Sequence, residues 1–137
     1  MLSSSVIIAA HKRREFLKDA VKSVLGNTQK PSEIIVVKNF SDPVVDSFLQ
    51  TNKITNLYTE DESLGGKLSL GISHSSGDII FFLDDDDLFS REKIAYVTKK
   101  FREYDIGFYQ NAQLVFYDDN IIRTDANNQE IFYYYKN

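Results

Sequence analysis

The sequence predicts an α/β fold: a mainly parallel sheet covered by helices on both sides, with added antiparallel strands near the C-terminus. Three observations carry that expectation. Short apolar runs alternate with stretches of helical periodicity through the first two thirds of the chain. The early strand candidates are apolar without a break, the pattern of strands buried on both faces. The last third instead holds short strand-like runs separated by polar turns.

Val6 to Ala10 is the first continuous apolar run and reads as a buried strand. Phe16, Leu17, Ala20, Val21, Val24 and Leu25 then recur at helical spacing, and Gly26-Asn27 supplies a stop. Glu33 to Val37 is a second strand. Asp42 and Pro43 form an N-cap and first-turn pair, opening a short helix through Phe48 and Leu49. Ile54 to Tyr58 is a third, weaker strand. From Ser63 to Ser73 the spacing of Leu64, Leu68 and Ile72 predicts a helix begun by the Gly65-Gly66 pair.

Ile79 to Leu83 is the fourth strand. Ser90 is expected to cap a further helix with Ile94, Val97 and Phe101 on its inner face. Ile106 to Tyr109, Leu114 to Tyr117, Ile121-Ile122 and Ile131 to Tyr135 are strand-like, and Asp118-Asp119-Asn120 is a turn. With no internal repeat, linker or low-complexity tract, the 137 residues read as one domain, large enough to bury a core.

Composition narrows the function. Sixteen basic against twenty acidic residues give a net charge of -4, which argues against a nucleic-acid footprint. The absence of cysteine excludes disulfides and thiolate metal sites. No segment reaches the ~18 continuous apolar residues of a membrane span. In MLSSSVIIAAHKRRE the basic residues follow the apolar run, the reverse of a secretory signal. The expected location is the cytoplasm, or the cytoplasmic face of a membrane.

The feature that points to chemistry is FFLDDDDLF, residues 81 to 89, in which an apolar strand runs straight into Asp84, Asp85, Asp86 and Asp87. Adjacent like charges repel by ~1 kcal/mol in water and about 4 at the effective dielectric of a protein cleft. In an extended backbone Asp84 and Asp86 point the same way. Two such carboxylates suit a hard divalent cation, Mg2+ or Mn2+, which takes oxygen ligands and shares them with substrate phosphates. A solvated acidic loop, or carboxylates capping the next helix, is the alternative. Ligands of open α/β sheets bind outside the carboxyl ends of the strands, and the run sits at such an end.

Several stretches together resemble the nucleotide-binding part of family 2 glycosyltransferases with the GT-A fold, a Rossmann-like architecture. SVIIAAHKRREFLKDAVKSVLGNT is similar to the family's opening strand, turn and helix through Val6-Ile7-Ile8, Arg13, Glu15-Phe16-Leu17 and Ser23-Val24-Leu25. PSEIIVVKNFSD resembles its Glu-Ile-Ile-Val-Val-Asp-Asp-Gly-Ser strand. GGKLSLGISHSSGDIIFFLDDDD resembles its Gly-rich helix, Ser-Gly-Asp turn and Asp-x-Asp strand end. The resemblance runs in the family's order from Ser4 to about residue 100.

It implies a metal-dependent enzyme, a hexosyltransferase-like glycosyltransferase. Such an enzyme moves a sugar from a nucleotide-diphospho-sugar donor to a hydroxyl of a saccharide or lipid-linked acceptor, with inversion. By position, Asp84 and Asp86 match the Asp-x-Asp that holds the metal and the donor's ribose and diphosphate. Asp87 matches the family's following acid, a further metal partner. Asp85 takes the variable position, grouped with the nucleotide-sugar contacts although its side chain is expected to point away. Ala9, Ala10 and His11 fall in the turn that lines the base. Arg13 matches the family's Arg, as an ion pair or a diphosphate contact. Lys67 follows two glycines at a helix start, where free N–H groups favour anions, and is a candidate phosphate contact. His74 reads as structural.

The departures are specific. Lys38, followed by Asn39, stands where the family carries an Asp that contacts the base or ribose, and is therefore grouped with the nucleotide-sugar contacts. Lys12 replaces the Asn of the first turn, and Leu68-Ser69-Leu70 stands at the Ala-Arg-Asn segment. The family's catalytic base lies downstream of Asp-x-Asp, and nothing in the spacing of Asp118, Asp119 and Asp125 marks one. The expectation is a truncated domain, or one completed by another copy, with the aromatic stretch Tyr133-Tyr134-Tyr135 as a terminal strand or a homo-oligomer contact. A binding module for nucleotide sugar or metal without turnover is the alternative function. A nicotinamide-binding domain is excluded because AAHKRRE holds no G-x-G-x-x-G. Receiver domains and haloacid-dehalogenase-like phosphatases carry their acids after the first strand, not the fourth.

Overall fold

A computed structural model of the chain describes residues 1–111, 114–117, 120–123 and 131–133. The chain falls into two compact units, Met1–Thr98 and Lys99–Asn137. The first unit runs β1 (Ser4–Ala10), α1 (Leu17–Leu25), β2 (Glu33–Lys38), α2 (Pro43–Thr51), β3 (Thr55–Tyr58), α3 (Leu64–Ser73) and β4 (Ile79–Asp84). Helix α4 (Lys93–Glu103) leads from it into the second unit, which holds β5 (Phe108–Gln110), β6 (Leu114–Tyr117), β7 (Asn120–Arg123) and β8 (Ile131–Tyr133). Among the described residues no helix is long and apolar enough to cross a membrane.

In the first unit the strands form one parallel sheet in the order β3-β2-β1-β4, flanked by helices, as the alternating pattern predicts. Every residue of β1 is buried, and successive side chains point to opposite faces, so both faces of the central strand are covered. The edge strand β3 is largely exposed, in keeping with its weak apolar pattern. The second unit holds two antiparallel ladders, β5 with β8 and β6 with β7. They match the expected added strands; β8 is described as far as Tyr133, and Tyr134 and Tyr135 lie outside the described residues.

On one face Ile7, Ile35 and Val37 form a core cluster joined by Leu57, Leu68, Leu70 and Ile80. Helix α3 lies against β1 and β2 there. Its buried residues are Lys67 and Gly71, whereas Leu64 and Ile72, expected on the inner stripe, are 55% and 44% exposed. The close approach explains the shift: a Cβ on Gly71 would stand 2.6 Å from Ile7 Cγ2. The helix starts one residue later than expected, with Ser63 as N-cap accepting from the Gly66 N–H at 2.9 Å.

The amino end of β4 is fixed to β1 by hydrogen bonds. Asp78 accepts from the main-chain N–H and the hydroxyl of Ser3, at 2.8 and 2.7 Å. Gly77 N–H donates to Ser5 Oγ at 2.8 Å, and a Cβ there would meet Ser5 N at 2.6 Å. Ser5 Oγ donates to Glu33 Oε1, which also accepts from Ser76 N–H, each at 2.6 Å. These bonds, Ser5 first, hold the Glu33 carboxyl below the usual carboxylate range. They set the β1–β4 register, which pairs Val6 with Phe81, Ile8 with Leu83 and Ala9 with Asp84.

Ser90 gives α4 only its main-chain carbonyl, which accepts from Lys93 N–H at 3.0 Å. The side-chain cap comes from Asn27, fully buried after α1, whose Oδ1 accepts from Ile94 N–H at 3.0 Å while its Nδ2 donates to Ser23 O at 2.9 Å. One amide thus closes the end of α1 and opens α4. Truncation leaves a buried N–H without a partner, at a cost of about 1–3 kcal/mol. Urea unfolding should therefore show Asn27→Ala losing stability in that range, and Ser90→Ala losing less than about 0.5 kcal/mol.

Candidate functional site

The strand order places a topological switch between β1 and β4: the chain builds outward from β1 to β3, then crosses to β1's other side. Outside the carboxyl ends of these two strands lies a cavity of about 280 Å³. Ala9 and Ala10 end β1 and His11 and Arg13 follow in its turn; Asp84 ends β4 and Asp85 and Asp86 follow; Glu62, Leu64 and Lys67 come from the start of α3. The small Ala9 and Ala10 keep the floor open. Of the residues singled out in the sequence, Lys38 and Asp87 lie outside this lining.

The acidic run turns rather than extends. Asp87 N–H donates to Asp84 O at 3.2 Å, so strand alternation stops at Asp84 and three consecutive carboxylates reach the cavity wall. Asp85 does not point away, as alternation predicts, but is 6% exposed and held by Arg13. Arg13 Nε donates to Asp85 Oδ2 at 3.0 Å and Nη2 to Asp85 Oδ1 at 3.1 Å, a bidentate pair. The same Nη2 lies 2.7 Å from Asp86 Oδ2. The guanidinium stacks over Phe16 at 5.5 Å, and the Asp85 hydrogen bond, then that of Asp86, holds its proton still more firmly than usual.

Lys67 is the second cation at the cavity and is 1% exposed. Its ammonium donates to Asp61 O at 2.9 Å and Ser63 O at 3.4 Å, and sits 3.3 Å from His11 Nδ1. Among the described residues it makes no salt bridge with a carboxylate. Asp61 and Glu62 act on it only through space, and a buried charge with no carboxylate in direct contact leaves attraction available for an anion. Asn39 positions the turn between them: its Oδ1 accepts from Lys12 N–H at 2.8 Å, and its Nδ2 is 3.1 Å from His11 Nδ1. Lys12 has φ 53, a left-handed conformation that costs a non-glycine residue about 1 kcal/mol or more. Its side chain pairs with Glu62.

Lys38 is spent elsewhere. Although it pairs in register with Ala10, its side chain is 2% exposed. Its ammonium donates to Phe40 O at 2.7 Å and pairs with Asp46 Oδ1 at 2.9 Å. That bond is the main reason the Asp46 carboxyl sits below the usual range. His74 is structural, its Nδ1 3.1 Å from Leu70 O at the end of α3. Asp118, Asp119 and Asp125 lie outside the described residues. The cavity residues missed in the sequence are Glu62 and Leu64. The one signal for them was their place beside the Ser63 cap, because side chains at a helix start flank whatever its free N–H groups face.

Among the described residues no group of three or more His, Asp or Glu side chains stands ready to hold a metal ion by itself. Asp84 and Asp86 are two exposed carboxylates on one cavity wall, a donor set that suits a hard cation sharing its shell with phosphate oxygens. Their charge is felt at Asp87, whose carboxyl is pushed up by partial desolvation, then by Asp84, Asp86 and Asp85. A raised folded-state value favours the protonated fold: that stability is fully present below the ordinary 3.8 and is lost as pH rises through the raised value. Without divalent cations, Asp87→Asn should raise Tm at pH 7, with the gain shrinking as pH falls towards 3.8.

Comparison with known proteins agrees with this architecture. An uncharacterized glycosyltransferase of Nostoc sp. is 27% identical over 125 residues, covering 86% of this chain and 39% of the relative. The mannosyltransferase PcManGT from Pyrobaculum calidifontis, solved with GDP-Man and Mn2+, superposes with a TM-score of 0.67 at 19% identity, over 77% of this chain and 34% of its own. S. aureus TarS 1-349 with UDP-GlcNAc gives 0.65 at 16% identity, over 74% and 32%. The chain thus spans less than half the length of these proteins. At such identities the structures speak for the fold, a GT-A arrangement around a parallel sheet. The sequence model described as Glycosyl transferase family 2 matches residues 5–137, nearly the whole chain, and the chain belongs to that family.

Proposed function

We propose that the cavity between β1 and β4 is the donor site of a metal-dependent glycosyltransferase. It would take a nucleotide-diphospho-sugar and pass the sugar to an acceptor hydroxyl with inversion. The observation that carries this reading is the juxtaposition of charges at a sheet switch point. Asp84 and Asp86 face the same space as Arg13 and a buried Lys67 that makes no salt bridge among the described residues. A diphosphate with a divalent cation is the ligand class that satisfies both signs at once.

Asp84 and Asp86 would hold the ion, with Asp87 supporting the carboxylate cluster beside them. Once bound, Mn2+ or Mg2+ would offset the charge that gathers on the leaving diphosphate. Lys67 and Arg13 would orient the phosphates, and Ala9, Ala10 and His11 would lie against the nucleoside. Lys38 would act through the backbone, holding the end of β2 by its pair with Asp46. The acceptor, saccharide or lipid-linked, and a cytoplasmic setting belong to the same proposal. Binding without turnover is the second reading. It is favoured by the carboxylates of the cavity: Asp85 and Asp86 are committed to Arg13 and Glu62 to Lys12. A general base would then come from outside this set.

Calorimetry with Mn2+ and UDP or GDP should show binding that weakens by at least about tenfold in Asp84→Ala and Asp86→Ala, the loss of roughly one charge-assisted contact. Undiminished binding in the double variant would remove the site assignment. Lys67→Met should weaken the nucleoside diphosphate to a similar degree without weakening Mn2+ alone. With a panel of nucleotide sugars and an acceptor, the product should carry the inverted anomeric configuration; retention would overturn the proposed displacement. Binding with no transfer for any pair would support the second reading.

A further inference from the structure

We propose that Arg13 is a built-in competitor for the cation site. Its Nη2 occupies Asp86 until a donor diphosphate draws it away, so that metal and nucleotide bind cooperatively. This rests on the donor-site reading above and adds a regulation of that site.

The geometry carries it. Arg13 makes two kinds of contact that differ in permanence. Its bidentate bonds to Asp85, at 3.0 and 3.1 Å, involve a carboxylate that is 6% exposed and has little water to exchange into. Its third contact, Nη2 to Asp86 Oδ2 at 2.7 Å, reaches a side chain that is 46% exposed on the cavity wall. Phe16 supports the guanidinium from the side. Asp85 is therefore a positioning residue, holding Arg13 in the cavity whether or not Asp86 is engaged. Only the Asp86 contact needs exchanging for Asp86 to accept a cation.

A divalent ion arriving alone must displace that contact and tolerate a fixed positive charge beside it. A diphosphate gives Nη2 another anion to bind, releases Asp86 and offsets the same charge. Both ligands then gain from each other by an equal factor, because linkage is reciprocal. The arrangement also offsets part of the repulsion among the four adjacent carboxylates: Asp85 is buried against the Arg13 guanidinium, and Asp86 shares it.

Manganese alone, titrated by calorimetry and by loss of the free Mn2+ electron-paramagnetic signal, provides the test. Arg13→Gln should bind Mn2+ on the order of tenfold more tightly than the native chain and UDP or GDP more weakly by a similar factor, magnitudes typical of one partly exposed charge pair. Because that change strands the buried Asp85, the double variant Arg13→Gln/Asp85→Asn is measured beside it and should show the same opposed shifts. Arg14→Gln removes an equal charge from a residue paired with Asp42 and serves as control; its Mn2+ affinity should stay within about twofold of native, as expected for a screened surface charge. Mn2+ affinity that is unchanged or lower in both Arg13 variants, with Asp86→Ala still losing Mn2+, would overturn the competition and leave the donor site standing. Equal gains in the Arg14 and Arg13 variants would overturn it too, showing bulk charge at work. If Asp86→Ala keeps full Mn2+ affinity, the donor-site reading itself fails.

Discussion

The parallel pairing of β4 with β1 is the constraint on which the rest of this structure depends. That ladder places Ala9 opposite Asp84, so the turn leaving one strand and the acidic run leaving the other flank a single cavity. A slip of one residue would turn Asp84 to the other face of the sheet and bury a carboxylate in the core. The register is defended at the far end of the strands by Asp78 on Ser3 and by Gly77 against Ser5, groups with no part in the cavity. Parallel strands carry no hairpin to fix their offset, so side-chain hydrogen bonds at the strand starts take that role.

Around the switch point, electrostatics is arranged as a set of partial satisfactions. Asp85 is buried and fully paired, Asp86 is paired but half exposed, and Asp87 is pushed towards its protonated form. Lys67 faces them from α3 with carbonyl oxygens, rather than a carboxylate, in direct contact with its ammonium. Surface ion pairs of ordinary proteins contribute little, about 0–1 kcal/mol, because water competes for both partners. Here burial of one member on each side removes that competition and keeps the charges in place, a preorganisation that suits a polyanion bound with a cation.

Lys38 shows how one substitution redirects a strand end. The resemblance marks this position for an acid facing the nucleotide, yet a lysine on a buried strand needs an anion close by, and Asp46 on α2 supplies it. The result ties β2 to the neighbouring helix and leaves the cavity wall at this point to His11, which Asn39 supports from behind the lining. The β1 turn beside it, with its left-handed Lys12, is held by Asn39.

Much of this was legible in the chain itself. Periodicity identified the strands of the parallel sheet and the helices between them, because apolar runs and 3.6-residue stripes are local properties. Ordered motifs identified the family, and the run from Asp84 at the end of a strand marked the candidate site, whose cavity Asp84, Asp85 and Asp86 line. The cap of α4 was not legible: the amide that fills it is Asn27, 67 residues before Ile94, and serine is an equally good local candidate at position 90. Nor was the inner face of α3, where Gly71 lets the helix sink onto Ile7 and turns Leu64 to the cavity. Sequence alone determined which residues carry charge and which elements end near one another. Only the tertiary structure decided which charge meets which, because Arg13 and Asp85 lie 72 residues apart and come together only when β4 pairs beside β1.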